Sequence, residues 1–291
     1  MTPRSWLFIP GDSASKMDKA AACGADAVIF DLEDSVAEAG KAEARGRVAE
    51  ALKRHVGPGP QRYVRINPLS TDHALQDLSA VIAQAPDGIV LPKPDSAADV
   101  VRLGHYLSAL EAQAGLEIGR TRILPIATET PRSLFNLGGY ADAPGRLAGL
   151  TWGAEDLPAA VGASSNRGDS GGLSDLCRLA RSLCLAGAAS ADVGAIETVY
   201  PAFRDLDGLK DYAARGRREG FIGMLAIHPA QVVVINQVFT PSEAELAHAR
   251  AVVALFAAAP EAGALALDGK MVDRPHLVQA QAVIARARVQ G

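Results

Sequence analysis

Eight short, nearly unbroken apolar runs recur along the chain, the pattern expected of strands covered on both faces. They lie at 5–9 (SWLFI), 27–31 (AVIFD), 62–67 (RYVRIN), 88–93 (GIVLPK), 122–128 (RILPIAT), 146–153 (RLAGLTWG), 195–200 (AIETVY) and 223–228 (GMLAIH). Their starts are 22 to 49 residues apart, which leaves room for one helix in each interval. Alternating strands and helices build a parallel sheet. Eight such units predict an α/β fold closed as a (β/α)8 TIM barrel, with an open doubly wound sheet as the main alternative. The 291 residues fit one barrel of roughly 250 residues plus a short extension, or two small domains on length alone.

Helix signals fall between the runs. Ser13 can cap a helix ending near Gly24, and Gly57 can close one that starts after Gly40. Asp72, Ser96 and Thr130 stand at N-cap positions, Thr130 with Pro131 directly after it. Beyond the eighth run, Thr240-Pro241-Ser242-Glu243 has capping-box spacing. Leu246, Val252, Val253 and Phe256 follow at helical intervals. The Gly- and Ala-rich stretch 260–269 reads as a hinge or linker, and 274–289 as a final helix. The expected division is a barrel over 1–239 and C-terminal helices forming a lid over 240–291. The Gly- and Ser-rich loop 162–172 is the expected mobile segment.

Charge and composition exclude several classes. The formal charge of −4 offers no basic field for nucleic acid, although local patches could still bind phosphates. No apolar run reaches the roughly 18 residues of a membrane helix. The run Trp6-Leu7-Phe8-Ile9 is too short for a signal peptide. Cys23, Cys177 and Cys184 lack metal-type spacing and read as reduced thiols of a cytoplasmic protein.

A barrel of this kind keeps its chemistry at the C-terminal strand ends. Those ends carry Asp12, Asp31-Leu32-Glu33-Asp34, Arg65-Ile66-Asn67, Lys93, Glu129, Glu155-Asp156, Tyr200 and His228. Buried strands have no structural need for so many ionisable groups, which are expensive to desolvate unless paired or metal-bound. Glu129 and Asp156, at the ends of strands five and six, could share one Mg²⁺, or could pair with Arg132 or Lys93. Arg65 can clamp a substrate carboxylate, or pair with Asp31 or Glu33, and those acids could orient it while it does so. Asp34 could cap the following helix. Lys93 could form a Schiff base or simply pair with a carboxylate. His228, before Pro229, could stabilise a turn or move a proton. Lys16 and Lys19 on the first helix could face the mouth and meet phosphates, or stay solvated; Lys16 is the candidate substrate contact. Gly168-Asp169-Ser170-Gly171-Gly172 spells a serine-protease string, but no histidine precedes it in the context a triad of that type needs.

Several segments together resemble one family. They are RSWLFIPGDSASK at 4–16, GADAVIFDLEDSV at 24–36, VRINPL at 64–69, GIVLPK at 88–93 and TWGAEDL at 151–157. GFIGMLAIHPAQV at 220–232, FTPSE at 239–243 and LDGKMVDRPHL at 267–277 continue the series. The chain resembles the stand-alone citrate lyase β-subunit-like proteins of the HpcH/HpaI aldolase superfamily, close to the malyl-CoA and citramalyl-CoA lyases. Around Glu129 it reads IATETP where many relatives have an IET-like string.

The resemblance implies a TIM barrel with Mg²⁺, a CoA thioester as substrate, a 2-oxo acid product, and a homotrimer or dimer of trimers. It implies Glu129 and Asp156 as metal ligands, Glu129 also touching substrate, Arg65 as a catalytic substrate contact, and Asp31 and Glu33 in support. Asp273 matches a catalytic acid/base on a C-terminal lid that closes over a neighbouring subunit's site; read alone, it is a helix N-cap. A hydroxyacyl-CoA thioesterase and a citrate-lyase-type subunit acting on a carrier-protein thioester are the alternatives.

Overall fold

The computed structural model describes residues 3–54, 57, 59–143, 145–169 and 171–288. The strands are β1 (Ser5–Pro10), β2 (Ala27–Asp31), β3 (Gln61–Arg65), β4 (Gly88–Leu91), β5 (Arg122–Pro125), β6 (Leu150–Thr151), β7 (Ala195–Glu197) and β8 (Gly223–Ala226). Around them run α1 (Ala14–Asp18), α2 (Lys41–Arg54), α3 (His73–Val81), α4 (Ala97–Gln113), α5 (Asp156–Ala160), α6 (Asp175–Ser190), α7 (Leu206–Glu219) and α8 (Pro229–Phe239). All eight strands are parallel, in the order β5-β4-β3-β2-β1-β8-β7-β6. The expected barrel is present.

Strand alternation sorts the side chains into two apolar layers. Trp6, Ala27, Ile29, Tyr63, Val90, Leu124, Ile196 and Leu225 fill the interior. Leu7, Ile9, Val28, Phe30, Val64 and Ile89 face outward into the larger helix-covered layer. Trp6 and Tyr63 meet edge to face, with ring centroids 4.8 Å apart. Tyr63 also fixes its neighbour: a Cβ on Gly88 would stand 2.2 Å from Tyr63 Cε1.

The barrel closes between β5 and β6 with a missing rung. Ile123 N–H donates to Arg146 O and Ala127 N–H to Thr151 O. Between them stands Pro125, which has no N–H to give. The closure is therefore two isolated bridges, Ile123–Leu147 and Ile126–Thr151, and not a ladder. For the same reason the expected strand 146–153 shrinks to the two residues of β6.

The helix signals had mixed outcomes. Ser96 caps α4 by accepting from Ala98 N–H. Thr130 accepts Ser133 N–H at 3.1 Å, but only the short 3-10 turn Ser133–Phe135, whose N-cap is Arg132, begins there, and no α-helix lies between β5 and β6. Ser13 and Asp72 precede helices without a capping side-chain bond, and the helix expected up to Gly24 splits into α1 and a 3-10 turn. Positions 55, 56 and 58, beside Gly57, lie outside the described residues. The Gly168–Gly172 string sits in a turn closed by a bridge between Arg167 and Leu173; its Ser170 lies outside the described residues.

Past α8, α9 (Glu243–Ala258) is capped by a box made of Ser242 and Glu245, two residues later than the Thr240–Glu243 spacing suggests. Ser242 takes the cap because Thr240 is already bonded to Asn236 O and Arg4. The supposed linker is an antiparallel hairpin, β9 (Ala264–Leu267) and β10 (Lys270–Asp273). Asp268 and Gly269, both at positive φ, make its two-residue turn. It leads into α10 (Arg274–Arg288); position 289 of the expected final helix lies outside the described residues. Ala249, Val252, Phe256, Val272 and Ala280 form an apolar cluster of their own.

Buried ion pairs tie the helices to the barrel. Arg146 grips the buried Glu111 through both terminal nitrogens at 3.0 and 2.7 Å, and Glu111 also accepts Gly119 and Thr121 N–H at 2.8 Å. Burial opposes charge on Glu111, but these donors outweigh it and hold its carboxyl down to about 2. The stabilisation it supplies is complete above the ordinary carboxylate range and is lost as pH falls toward 2. Glu111→Ala strands Arg146 and should cost about 3–5 kcal/mol in denaturant unfolding. Glu43→Ala, which breaks an exposed helical pair with Arg47, should change stability little. Equal effects from the two variants would contradict this account of Glu111.

Candidate active site

The mouth of the barrel is organised by strand register. Asp31 and Arg65 are register partners on β2 and β3, and both share the inward parity of Ile29 and Tyr63. Their side chains therefore meet at the inner rim. Arg65 binds Asp31 bidentately, Nε and Nη2 each 2.7 Å from a carboxylate oxygen. The rest of Asp31 accepts Glu33 N–H at 3.0 Å and Ser35 N–H at 3.1 Å. Burial raises the Asp31 carboxyl, yet the Arg65 bonds overcome that and hold it below the usual range. Phe8, also inward-facing, lies under the guanidinium with its centroid 4.8 Å from Cζ.

A chain of charges runs on from this pair. Arg65 Nη1 approaches Glu33 Oε2 at 2.8 Å, a close ion pair but not an aligned hydrogen bond. Lys93 Nζ donates to Glu33 Oε1 at 2.5 Å and stands 3.1 Å from Asp156 Oδ1. Asp34 is exposed and sits 3.4 Å from Arg65 and 3.9 Å from Lys93; it faces the mouth and caps no helix. Lys93 is in the left-handed region, φ 51°, and its own N–H donates to Glu129 Oε2 at 2.7 Å. One residue thus orders two carboxylates, Glu129 through its backbone and Asp156 through its side chain.

Glu129 and Asp156 do not end strands, contrary to expectation. Glu129 lies beyond Pro125, and Asp156 is the first residue of α5, beyond β6. The Ala127–Thr151 bond keeps the two loops side by side. Gly153 permits the approach: a Cβ there would fall 2.9 Å from Glu129 Cγ. Glu129 is buried, and burial together with the charges of Glu33 and Asp156 pushes its carboxyl up to about 8. Burial disfavours the Lys93 ammonium, but the Glu33 bond outweighs it and raises its pKa. Such a lysine stays charged, which argues against a Schiff-base nucleophile.

Five carboxylates (Asp31, Glu33, Asp34, Glu129 and Asp156) thus face two cations, Arg65 and Lys93. Even with the Glu129 carboxyl pushed up, the acids outnumber the cations in this partly buried cluster, which suits a hard divalent cation. Among the described residues, no group of three or more His, Cys, Asp and Glu side chains stands ready to hold an ion alone. Two carboxylates with waters or substrate oxygens completing the shell is the usual pattern for Mg²⁺.

The other candidates are dispersed. His228 is exposed, caps α8 through Nδ1, and stacks on Phe203 at 5.0 Å, so it stabilises the turn before α8. Tyr200 donates to Asp205, and Glu155 accepts from Asn166. Arg132 reaches Asp95 at 4.0 Å, not Glu129. Lys16 is exposed on α1. Asp273 ends β10, its carboxylate lies 2.5 Å from His276 Nδ1, its own N–H donates to that same nitrogen at 3.2 Å, and it begins α10 as an N-cap would. The His276 contact holds its carboxyl below the ordinary range. The left-handed Lys93 and the Gly153 contact carry no side-chain signature that sequence reasoning could use.

With the Glu129 carboxyl pushed up to about 8, a cation that bound it would release a proton near neutral pH. Calorimetry in buffers of different ionisation heats should show proton release on Mg²⁺ binding below pH 8. Apparent affinity should rise with pH and level off above 8. Glu129→Gln should abolish the release. Proton-neutral binding at pH 7 would contradict this reading.

Comparison with known proteins follows the same lines. A profile described as HpcH/HpaI aldolase/citrate lyase matches residues 4–229. Citrate lyase subunit beta of Escherichia coli (strain K12) is 36% identical over 292 residues, spanning 100% of this chain and 95% of that protein. A (3S)-malyl-CoA thioesterase of Cereibacter sphaeroides (strain KD131 / KCTC 12085) is 36% identical over 290 residues, spanning 98% and 94%. The crystal structure of CitE from Mycobacterium tuberculosis in complex with magnesium, acetoacetate and coenzyme A superposes with a TM-score of 0.78 at 36% identity. It spans 99% of this chain and 98% of that one. The chain belongs to the HpcH/HpaI aldolase/citrate lyase family and is an enzyme of that aldolase and lyase superfamily.

Proposed function

We propose that the chain is a Mg²⁺-dependent carbon–carbon lyase acting on a 2-hydroxy-acid thioester of coenzyme A, of the malyl-CoA or citramalyl-CoA type. Its products are acetyl-CoA and a 2-oxo acid. The observation that carries this reading is the carboxylate surplus around Lys93 beside an arginine at the barrel mouth. The magnesium, acetoacetate and coenzyme A named with the M. tuberculosis relative support it.

Glu129 and Asp156 would hold the ion, with substrate oxygens and water completing its shell. When bound, the ion would supply Lewis-acid stabilisation to the 2-hydroxyl oxygen as it gives up its proton ahead of carbon–carbon cleavage. Lys93 fixes Glu129 by its N–H and balances Glu33 and Asp156. Arg65, locked by Asp31 and Glu33, is pre-positioned to hold substrate oxygen at the thioester end. Nε and one N–H of Nη2 bond Asp31 and one N–H of Nη1 bonds Asp34, which leaves two of the five N–H groups without a hydrogen-bonded acid. Lys16, exposed on α1, would meet the substrate's phosphates. In cleavage the hydroxyl proton leaves to solvent and Asp273, in its acid form, gives a proton to the enolate carbon; condensation reverses both transfers, with Asp273 as the base. The His276 contact suits the base form. Asp273 would act in a neighbouring subunit's site, which makes a homotrimer or dimer of trimers the working assembly. Free thiols at Cys23, Cys177 and Cys184 support a cytoplasmic setting.

Thioester hydrolysis is the second reading, favoured by the malyl-CoA thioesterase relative. A panel of hydroxyacyl-CoA esters, with Mg²⁺ and with EDTA, separates the two if 2-oxo acid and free CoA are measured independently. The lyase reading expects 2-oxo acid and acetyl-CoA in equal amounts, abolished by EDTA. Glu129→Gln and Asp156→Asn should each lower kcat/KM about a hundredfold or more. Asp273→Asn should lower kcat by roughly 10²- to 10⁴-fold. Free CoA without 2-oxo acid would replace cleavage by hydrolysis. Inactivity on every CoA ester, with activity on a carrier-protein thioester, would assign a citrate-lyase-type subunit.

A further inference from the structure

A cavity of about 680 Å³ lies between α7, α8, the start of α9 and α10. Its position in the barrel is fixed by Thr240, which lines it and accepts Arg4 Nη1–H at 2.8 Å, just before β1 begins. The carboxylate cluster lies past the other ends of the strands. The cavity is therefore on the opposite face of the barrel from the candidate active site. The last turn of α7 reaches this face with Arg217 and Arg218.

The lining is strongly and asymmetrically charged. Lys210, Arg217, Arg218 and Arg286 all contribute, against a single acid, Glu245. Glu245 is already engaged: it pairs with Arg217 at 2.9 Å and accepts Ser242 N–H at 2.7 Å in the α9 capping box. Among the described residues, no carboxylate pairs with Lys210, Arg218 or Arg286. Arg286 is half-buried beside Arg217, and burial and that like charge both disfavour its cationic form. A guanidinium cannot escape by losing its proton. It needs a counter-anion, and none of the neighbouring side chains supplies one. This surplus arises within a chain whose formal charge is −4.

We propose that this cavity binds a phosphate-bearing small molecule at a site separate from the barrel mouth. Several uncompensated cations favour a multiply charged oxyanion over a single carboxylate. Guanidinium forks match phosphate oxygens bidentately. The volume lies within the usual range for small-ligand sites and exceeds what one phosphate fills, so an ester or a diphosphate fits better. Arg217 and Arg218 belong to α7 and Arg286 to α10, so the ligand bridges the two helices. Its binding ties the C-terminal segment, which also carries Asp273, to the barrel wall.

The test titrates the full-length protein with inorganic phosphate, pyrophosphate and a nucleoside diphosphate by calorimetry at low ionic strength. The same titrations are run on Arg286→Gln, Arg218→Gln and, as a control, the exposed Lys270→Gln. At least one probe should bind wild type saturably. That affinity should fall about tenfold or more in each cavity variant and stay unchanged in Lys270→Gln. Arg286→Gln relieves a like-charge contact, so its Tm without ligand should not fall, which separates lost binding from lost folding. Pyrophosphate binding as well as the nucleotide would show that the phosphates alone are recognised; preference for the nucleotide would show that the ester group is read too. No saturable binding of any probe, or equal affinity in Arg286→Gln and wild type, would overturn the proposal.

Discussion

The bidentate pair between Arg65 and Asp31 is the contact on which the barrel mouth depends. Strand register and side-chain parity place the two opposite each other on one inner face. Each is buried enough to require the other: removing one partner of such a pair typically costs about 3–5 kcal/mol. Glu33 and Lys93 extend the pair toward Asp156, and the Lys93 backbone reaches Glu129. The whole set is a single electrostatic unit in which every carboxylate has a cation nearby but the cations are too few. That imbalance sets the cluster apart from a neutral ion-pair network.

The geometry of the mouth follows from a break in the sheet as much as from its regularity. Pro125 removes one rung where β5 meets β6, and β6 is only two residues long. The chain leaves the ladder early on both strands, so Glu129, on a loop, and Asp156, at the start of α5, both sit past the barrel rim. Gly153 keeps those loops close. The C-terminal hairpin and α10 obey a separate logic. They share their own apolar cluster with α9, and α10 faces the barrel across a cationic cavity.

Much of this was legible in the sequence. Continuous apolar runs located all eight strands because both faces of each are buried. The acids and the arginine at the run ends do meet at one rim, because parallel strands put their C-terminal ends together and strand parity turns Asp31 and Arg65 inward. What escaped depends on tertiary detail. The left-handed turn at Lys93 is imposed by its neighbours and not by its residue type. The pairing of Lys93 with Asp156 joins segments far apart in the chain, so the alternatives for Asp156 could only be enumerated. The linker reading of 260–269 failed for another reason. Asp268-Gly269 is a strong hairpin signal, but Ala and Gly around it lack the β-branched character of ordinary strands. Likewise, the overall acidity of the chain conceals the basic cavity between α7 and α10.

The central claim is that the charge deficit at the barrel mouth is made up by one divalent cation between Glu129 and Asp156. Crystals grown with Mn²⁺ and measured at a wavelength where manganese scatters anomalously address it directly. The expected result is a single strong peak at the mouth, about 2.2 Å from an oxygen of each carboxylate, with the Lys93 ammonium shifted away from Asp156. A peak elsewhere, or none at saturating Mn²⁺ with Lys93 still bridging Glu33 and Asp156, would contradict the account.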